Sequence, residues 1–136
     1  MKQSDIQVRL VPPSPNLHFL GRVEVLYNDQ WGTVCDDLFY TTEANVICFM
    51  LNFTRGAVCS VSNARFGQGR GSHFILLYYK VNIIINIVLP FSGPIWLDNV
   101  DCRPGDEILE DCNHNPWGNT SCSHREDVGV VCRPSE

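Results

Sequence analysis

Two acidic pairs and seven cysteines carry most of the chain's chemistry-bearing side chains. Asp36-Asp37 follows directly on Cys35, and Glu126-Asp127 lies shortly after Cys122. Carboxylates held together repel one another unless a cation or protons intervene. Oxygen donors without His or Cys suit calcium, which extracellular modules bind weakly, at roughly 10⁻⁴ to 10⁻³ M. The structural alternative is that these acids accept backbone N–H bonds in turns, or pair with Arg22, Arg65 or Arg125.

The cysteines are Cys35, Cys48, Cys59, Cys102, Cys112, Cys122 and Cys132. None forms a Cys-x-x-Cys pair, and Cys112-x-His114 and Cys122-x-His124 do not have the spacing of a zinc knuckle. Long, irregular intervals rich in Gly, Pro and Asn read instead as a disulfide framework, which needs an oxidising compartment. An odd count leaves one thiol over. Two triplets, Asn52-Phe53-Thr54 and Asn119-Thr120-Ser121, are acceptors for N-glycosylation at Asn52 and Asn119. Ser, His and Asp are all present, yet no Gly-x-Ser-x-Gly elbow exists, and the expectation is that this chain is not an enzyme.

The elements that must position these groups fit one domain of 136 residues. A net charge of −5 and a pI near 5.2 leave no basic footprint for nucleic acid. Val8 to Val11 reads as a strand ended by Pro12-Pro13-Ser14-Pro15. Arg22 to Tyr27 alternates polar and apolar, Asn28-Asp29 supplies a tight turn, and Gln30 to Cys35 returns as a hairpin arm. From Thr41 to Leu51 an amphipathic helix is expected. Either threonine can N-cap it, Glu43 lies in its first turn, and Ala44, Cys48 and Leu51 form a stripe flanked by Ile47. Asn52 tolerates a left-handed C-cap. Val128 to Val131 reads as the last strand. Trp31, Trp96 and Trp117 read mostly as core.

One segment breaks this pattern: about 70–91, with the run Phe74 to Leu89. A membrane span would be interrupted by Lys80, Asn82 and Asn86 and is barely long enough, so none is expected. A β-hairpin fits the β-branched residues better. The start, Met1-Lys2-Gln3-Ser4-Asp5, has no apolar leader, so the chain is expected to be a fragment of a larger secreted or membrane-anchored protein.

Gly21-Arg22-Val23-Glu24-Val25 and Trp31-Gly32-Thr33-Val34-Cys35-Asp36-Asp37 closely resemble the scavenger receptor cysteine-rich (SRCR) domain family. The resemblance continues through Ala44 to Cys48, Ala64 to Gly69, Gly93 to Val100, Cys102, Leu109 to Cys112, Trp117-Gly118 and Cys122 to Cys132. It implies an α+β domain over 8–132, with residues 1–7 and 133–136 as flanking linker. Its curved, mostly antiparallel sheet of about six strands would cradle one helix. The six-cysteine (group A) pairing would be Cys35–Cys122, Cys48–Cys132 and Cys102–Cys112, with Cys59 the free thiol. Phe19 and Phe53 stand where the eight-cysteine subgroup has its extra bridge. Beside the family, 70–91 is an insertion, and its Ile, Asn, Lys, Tyr and Phe bias is that of translated AT-rich noncoding DNA.

The resemblance also implies a first cation site at Asp36, Asp37 and Glu126, and a second at Asp37, Asp98 and Ser121. Serine replaces asparagine at this last position and is the poorer ligand. Arg65 and Arg125 would flank the cation and help hold an anionic group. The implied function is extracellular recognition of protein, glycan or polyanionic surface ligands with calcium as cofactor. The partners exclude nucleic acid, and the setting is a secreted protein or the ectodomain of a membrane protein. The rival reading is an accessory domain of an extracellular enzyme, such as a lysyl-oxidase-like protein or a mosaic serine protease.

Overall fold

The computed structural model describes residues 2–69, 74–78, 84–88 and 93–134. The described strands are β1 (Gln7–Val11), β2 (Leu20–Tyr27), β3 (Gln30–Val34), β4 (Ala57–Val61), β5 (Phe74–Tyr78), β6 (Ile84–Val88), β7 (Ile95–Leu97) and β8 (Gly129–Cys132). One helix, α1 (Thr41–Met50), lies between β3 and β4.

β2 organises the main sheet. It forms a hairpin with β3, in register from Tyr27 against Gln30 to Glu24 against Thr33. Asn28 and Asp29 both take positive φ, 50° and 60°, the two-residue turn whose twist matches the strands. β1 pairs antiparallel with β2, while β8 pairs with the start of β2 and with β4. β7 joins β3 in parallel, which makes the six-stranded sheet mixed. The two hairpin arms splay at one level. There Val23 N donates to Val128 O and Val128 N donates to Val34 O, so the chain entering β8 is held between them.

The helix starts differently from the expectation. Its N-cap is Tyr40, not a threonine. Glu43 is the reason: one carboxylate oxygen accepts from Tyr40 N at 2.8 Å and the other from Cys102 N at 3.0 Å. That buried carboxylate caps the helix and ties it to the loop after β7. Past the other end Asn52 adopts φ +69°, as its residue type allows. Ala44, Val46, Ile47 and Cys48 are buried against Val23, Val25, Val34, Val128 and Val130 of the sheet. Each such aliphatic side chain contributes roughly 1.5–3 kcal/mol when fully buried.

The disulfides are Cys35–Cys122, Cys48–Cys132 and Cys102–Cys112, the six-cysteine pairing, and Cys59 is free. The first two close loops with sequence separations of 87 and 84 residues, each restricting the unfolded chain by roughly 4–5 kcal/mol in the chain-entropy view. Cys48–Cys132 fastens α1 to the last strand.

β5 and β6 pair antiparallel with each other in a separate two-stranded sheet, from Phe74 against Val88 to Tyr78 against Ile84. The remainder of the expected insertion lies outside the described residues. Among the described residues, no helix is long and apolar enough to cross a membrane.

Candidate functional site

The Cys35–Cys122 bridge brings two distant loops together, with Cα atoms 6.2 Å apart. Cys35 ends the β3 arm, and its amide donates to Leu97 O at 2.9 Å, which sets the end of β7 beside it. Asp37 and Asp98, the residues just beyond, therefore face one another over the disulfide. One carboxylate oxygen of each lies within 4.8 Å of the other and of both sulfurs. The bridged sulfurs are poor metal donors, so the carboxylates are the available ligands.

The two acids differ in environment. Asp37 is exposed, whereas Asp98 is buried at 3% exposure. Asp98 Oδ2 accepts from the Thr120 hydroxyl at 2.8 Å, and that hydroxyl accepts from Cys122 N at 2.9 Å. Asp98 Oδ1 is buried with no hydrogen-bond partner. A buried carboxylate oxygen left without a partner is costly. The Asp37 carboxyl is pushed above the ordinary carboxylate range. Lost hydration is the largest cause, followed by the negative charges of Glu126, Asp98 and Asp36.

The acids of the first expected cation set lie close enough for Glu126 and Asp36 to act on the Asp37 charge, and these two each also accept a backbone amide. Asp36 Oδ2 accepts from Asn63 N at 2.8 Å, and Glu126 Oε2 accepts from Ser123 N at 3.1 Å. Each of these acids thus commits one oxygen to a backbone amide, and the charge of both acts on Asp37. Of the second set, Asp37 and Asp98 converge, while Ser121 is exposed and Thr120 takes the place beside Asp98. Thr120 went unrecognised in the sequence. Asn119-Thr120-Ser121 are all polar, so no sequence pattern singled it out; the structure makes it half-buried between two exposed neighbours.

Arg22 does not serve these acids. It pairs with buried Glu24, which also holds Arg9. Arg65 and Arg125 are both exposed, and neither forms a salt bridge among the described residues. The backbone nevertheless sets them at the rim of the site. Arg65 follows two residues after Asn63, and Arg125 precedes Glu126, whose carbonyl accepts from Asp36 N at 2.8 Å.

Behind the site lies a second polar knot. Asp127, buried at 1% exposure, accepts from the Thr33 hydroxyl at 2.7 Å and from Gly69 N at 2.7 Å. The His124 ring bridges two acceptors, with Nδ1 2.8 Å from Asp127 Oδ2 and Nε2 2.6 Å from Gly93 O. Both ring nitrogens are thus engaged, which fixes the orientation of the ring. A Cβ at residue 69 would collide with the Thr33 methyl, so glycine is what lets this backbone reach Asp127. Trp96 and Trp117 are half-buried around Tyr27, which stacks on Trp117 at 4.3 Å and meets Trp96 edge-on at 5.0 Å. Trp31 lies under the Arg9 guanidinium, 4.2 Å from the ring centroid.

Fold and bridges together define a disulfide-stapled α+β module built for an oxidising, extracellular setting. A sequence profile described as "Scavenger receptor cysteine-rich domain" matches residues 15–133, and the chain belongs to that family. Lysyl oxidase homolog 4 of Homo sapiens is 41% identical over 128 residues, which are 94% of this chain and 14% of that protein. Macrophage receptor MARCO of Mus musculus is 41% identical over 112 residues, 82% of this chain and 17% of that one. The chain thus spans about a seventh of the length of such relatives. Among solved structures, the third SRCR domain of murine neurotrypsin superposes with a TM-score of 0.69 at 35% identity, covering 96% of this chain and 99% of that one. The SRCR domain of mouse MARCO, in its dimeric form, gives 0.61 at 34% identity, with 98% and 93% covered.

Proposed function

We propose that this domain is a non-catalytic recognition module that binds anionic groups on protein or glycan ligands with the help of calcium. The convergence of buried Asp98, one of whose oxygens has no hydrogen-bond partner, with Asp37 carries the reading. Asp37 and Asp98 would hold the ion, and Asp36 and Glu126 add negative charge around it. Bound calcium would supply a positive centre for an anionic ligand group, which an acidic chain otherwise lacks. Arg65 and Arg125 at the rim would add donors for the same group.

A protein ligand is favoured by the residues that follow Asp37. Leu38 is 56% exposed in the left-handed region, φ +60°, and Tyr40 is 64% exposed, while Phe39 between them is buried. A bulky residue held at positive φ is an uncommon, strained feature that tends to persist at contact sites. It presents an apolar side chain directly beside the acidic pocket.

The accessory-domain reading keeps the same site and changes only its host, and similarity to a lysyl oxidase homolog supports it as a second context. The test is binding of the chain to an immobilised polyanion and to an acidic glycoprotein, with calcium and with chelator. Asp37→Ala and Asp98→Ala serve as controls. Calcium-dependent binding lost in both variants is expected; equal binding under all conditions overturns the proposal.

A further inference from the structure

The acidic site uses Thr120 of the Asn119 triplet and nothing of the Asn52 triplet. Asn52 is exposed just past α1, and Thr54, which completes its triplet, is exposed too. The Asn52 side chain makes no hydrogen bond among the described residues. Asn119 is exposed as well, but Thr120 within its triplet is turned inward onto Asp98 and Cys122 N.

Asn52 and Thr54 stand on the rim of an open groove of about 900 Å³, within the size range of small-ligand clefts. One wall is Phe49 and Met50 from the last turn of α1; the other includes Lys2, Ser4 and Asp5. That second wall is pinned from behind. Lys2 Nζ donates to Asp111 at 2.8 Å, the Ser4 hydroxyl to Glu110 at 2.6 Å, and Asp5 N to Glu110 at 2.8 Å. The lining mixes apolar Ile6, Phe49 and Met50 with polar Gln3, Gln7 and Glu107, which suits a pyranose, apolar on its C–H face and polar at its edges.

We propose that Asn52 carries an N-linked glycan whose first N-acetylglucosamine units lie in this groove. The donor is a lipid-diphosphate-linked oligosaccharide. Asn52 Nδ2 forms a bond to the anomeric carbon, the bond from that carbon to the diphosphate oxygen breaks, and the amide loses one proton as lipid diphosphate departs. Covalent attachment at the rim gives the sugar a high effective concentration, so weak contacts suffice to seat it. The position is compatible with recognition at the acidic site. Asp37 precedes the first turn of α1 and Asn52 follows its last, and ten helical residues separate them by roughly 15 Å along the axis. A glycan on Asn119 would instead stand beside Thr120 and Asp98.

The proposal depends on passage through the secretory pathway, as the recognition reading does, but it is tested separately. The full chain is carried through a mammalian secretory pathway by an added leader, and its mass is read before and after peptide-N-glycosidase treatment. Peptide mapping is expected to find Asn52 converted to aspartate in most of the secreted protein, and Asn52→Gln and Thr54→Ala each to abolish that conversion. Hydrogen exchange at residues 2–8 is expected to be several-fold slower with the glycan than after its removal. Secreted, fully disulfide-bonded chain with Asn52 unmodified overturns the proposal and leaves the calcium reading untouched. Modification without any change in exchange at residues 2–8 overturns the seating in the groove.

Discussion

Asp98, buried and half-satisfied, faces exposed Asp37 across the Cys35–Cys122 bridge, with carboxylate oxygens within 4.8 Å. Neither acid has a basic side chain against it among the described residues. The pair therefore stores electrostatic repulsion that a divalent cation would relieve.

Calcium should stabilise the fold measurably. With a dissociation constant of about 1 mM, 10 mM calcium adds about 1.4 kcal/mol. Thermal unfolding should show a calcium-dependent rise in Tm that Asp98→Asn removes. Without calcium, Asp98→Asn should match or exceed the parent by roughly 1–2 kcal/mol, because an amide donor replaces an orphaned acceptor beside Asp37. A variant that is less stable yet still responds to calcium would contradict this account.

The pH dependence follows from Asp37. Its folded pKa is raised, so ionising it in the ion-free protein costs stability. That cost is absent below the ordinary carboxylate range and complete above the raised value. Cation binding requires the ionised form. Affinity should therefore weaken as pH falls, beginning above the range of an ordinary aspartate, and binding there should release a proton. Calorimetry in buffers of different ionisation heat, between about pH 4 and 7, checks both; a flat affinity would refute the assignment.

His124→Ala should destabilise the domain by about 1–3 kcal/mol, since buried Asp127 loses its ring-nitrogen partner while Thr33 and Gly69 remain. Chemical denaturation measures it. The conservative His124→Gln should recover part of the loss.

Excising 70–91 should leave the main sheet and all three disulfides intact, because among the described residues β5 and β6 pair only with each other. Gly69 N and Gly93 O, which flank the segment, are both held on the Asp127–His124 pair, so a short link can join them. The shorter loop also lowers closure entropy by about 0.6 kcal/mol per halving of length. Disulfide mapping and Tm of the excised form decide the matter; loss of secretion would show that the segment supports the fold.

β1, β2, β3 and β8, the hairpin turn at Asn28-Asp29, the helix and its buried Cys48 were legible in the sequence because each depends on local periodicity or turn chemistry, whereas the short β4 and β7 carried no such signal. The bridge pairing was legible through the family resemblance. The helix start was read one residue late: Glu43 has two amides to serve, and one of them, Cys102 N, is distant in the chain.

Residue types and order by themselves determined a secreted-type, cystine-held α+β domain carrying clustered acids. Only the tertiary structure decided which acids are available. Asp36 and Glu126 are engaged by backbone amides, Thr120 rather than Ser121 turns inward, and Asp98 keeps one oxygen without a partner. Whether a carboxylate is satisfied depends on N–H groups delivered by loops far away in sequence, and no local pattern encodes that delivery.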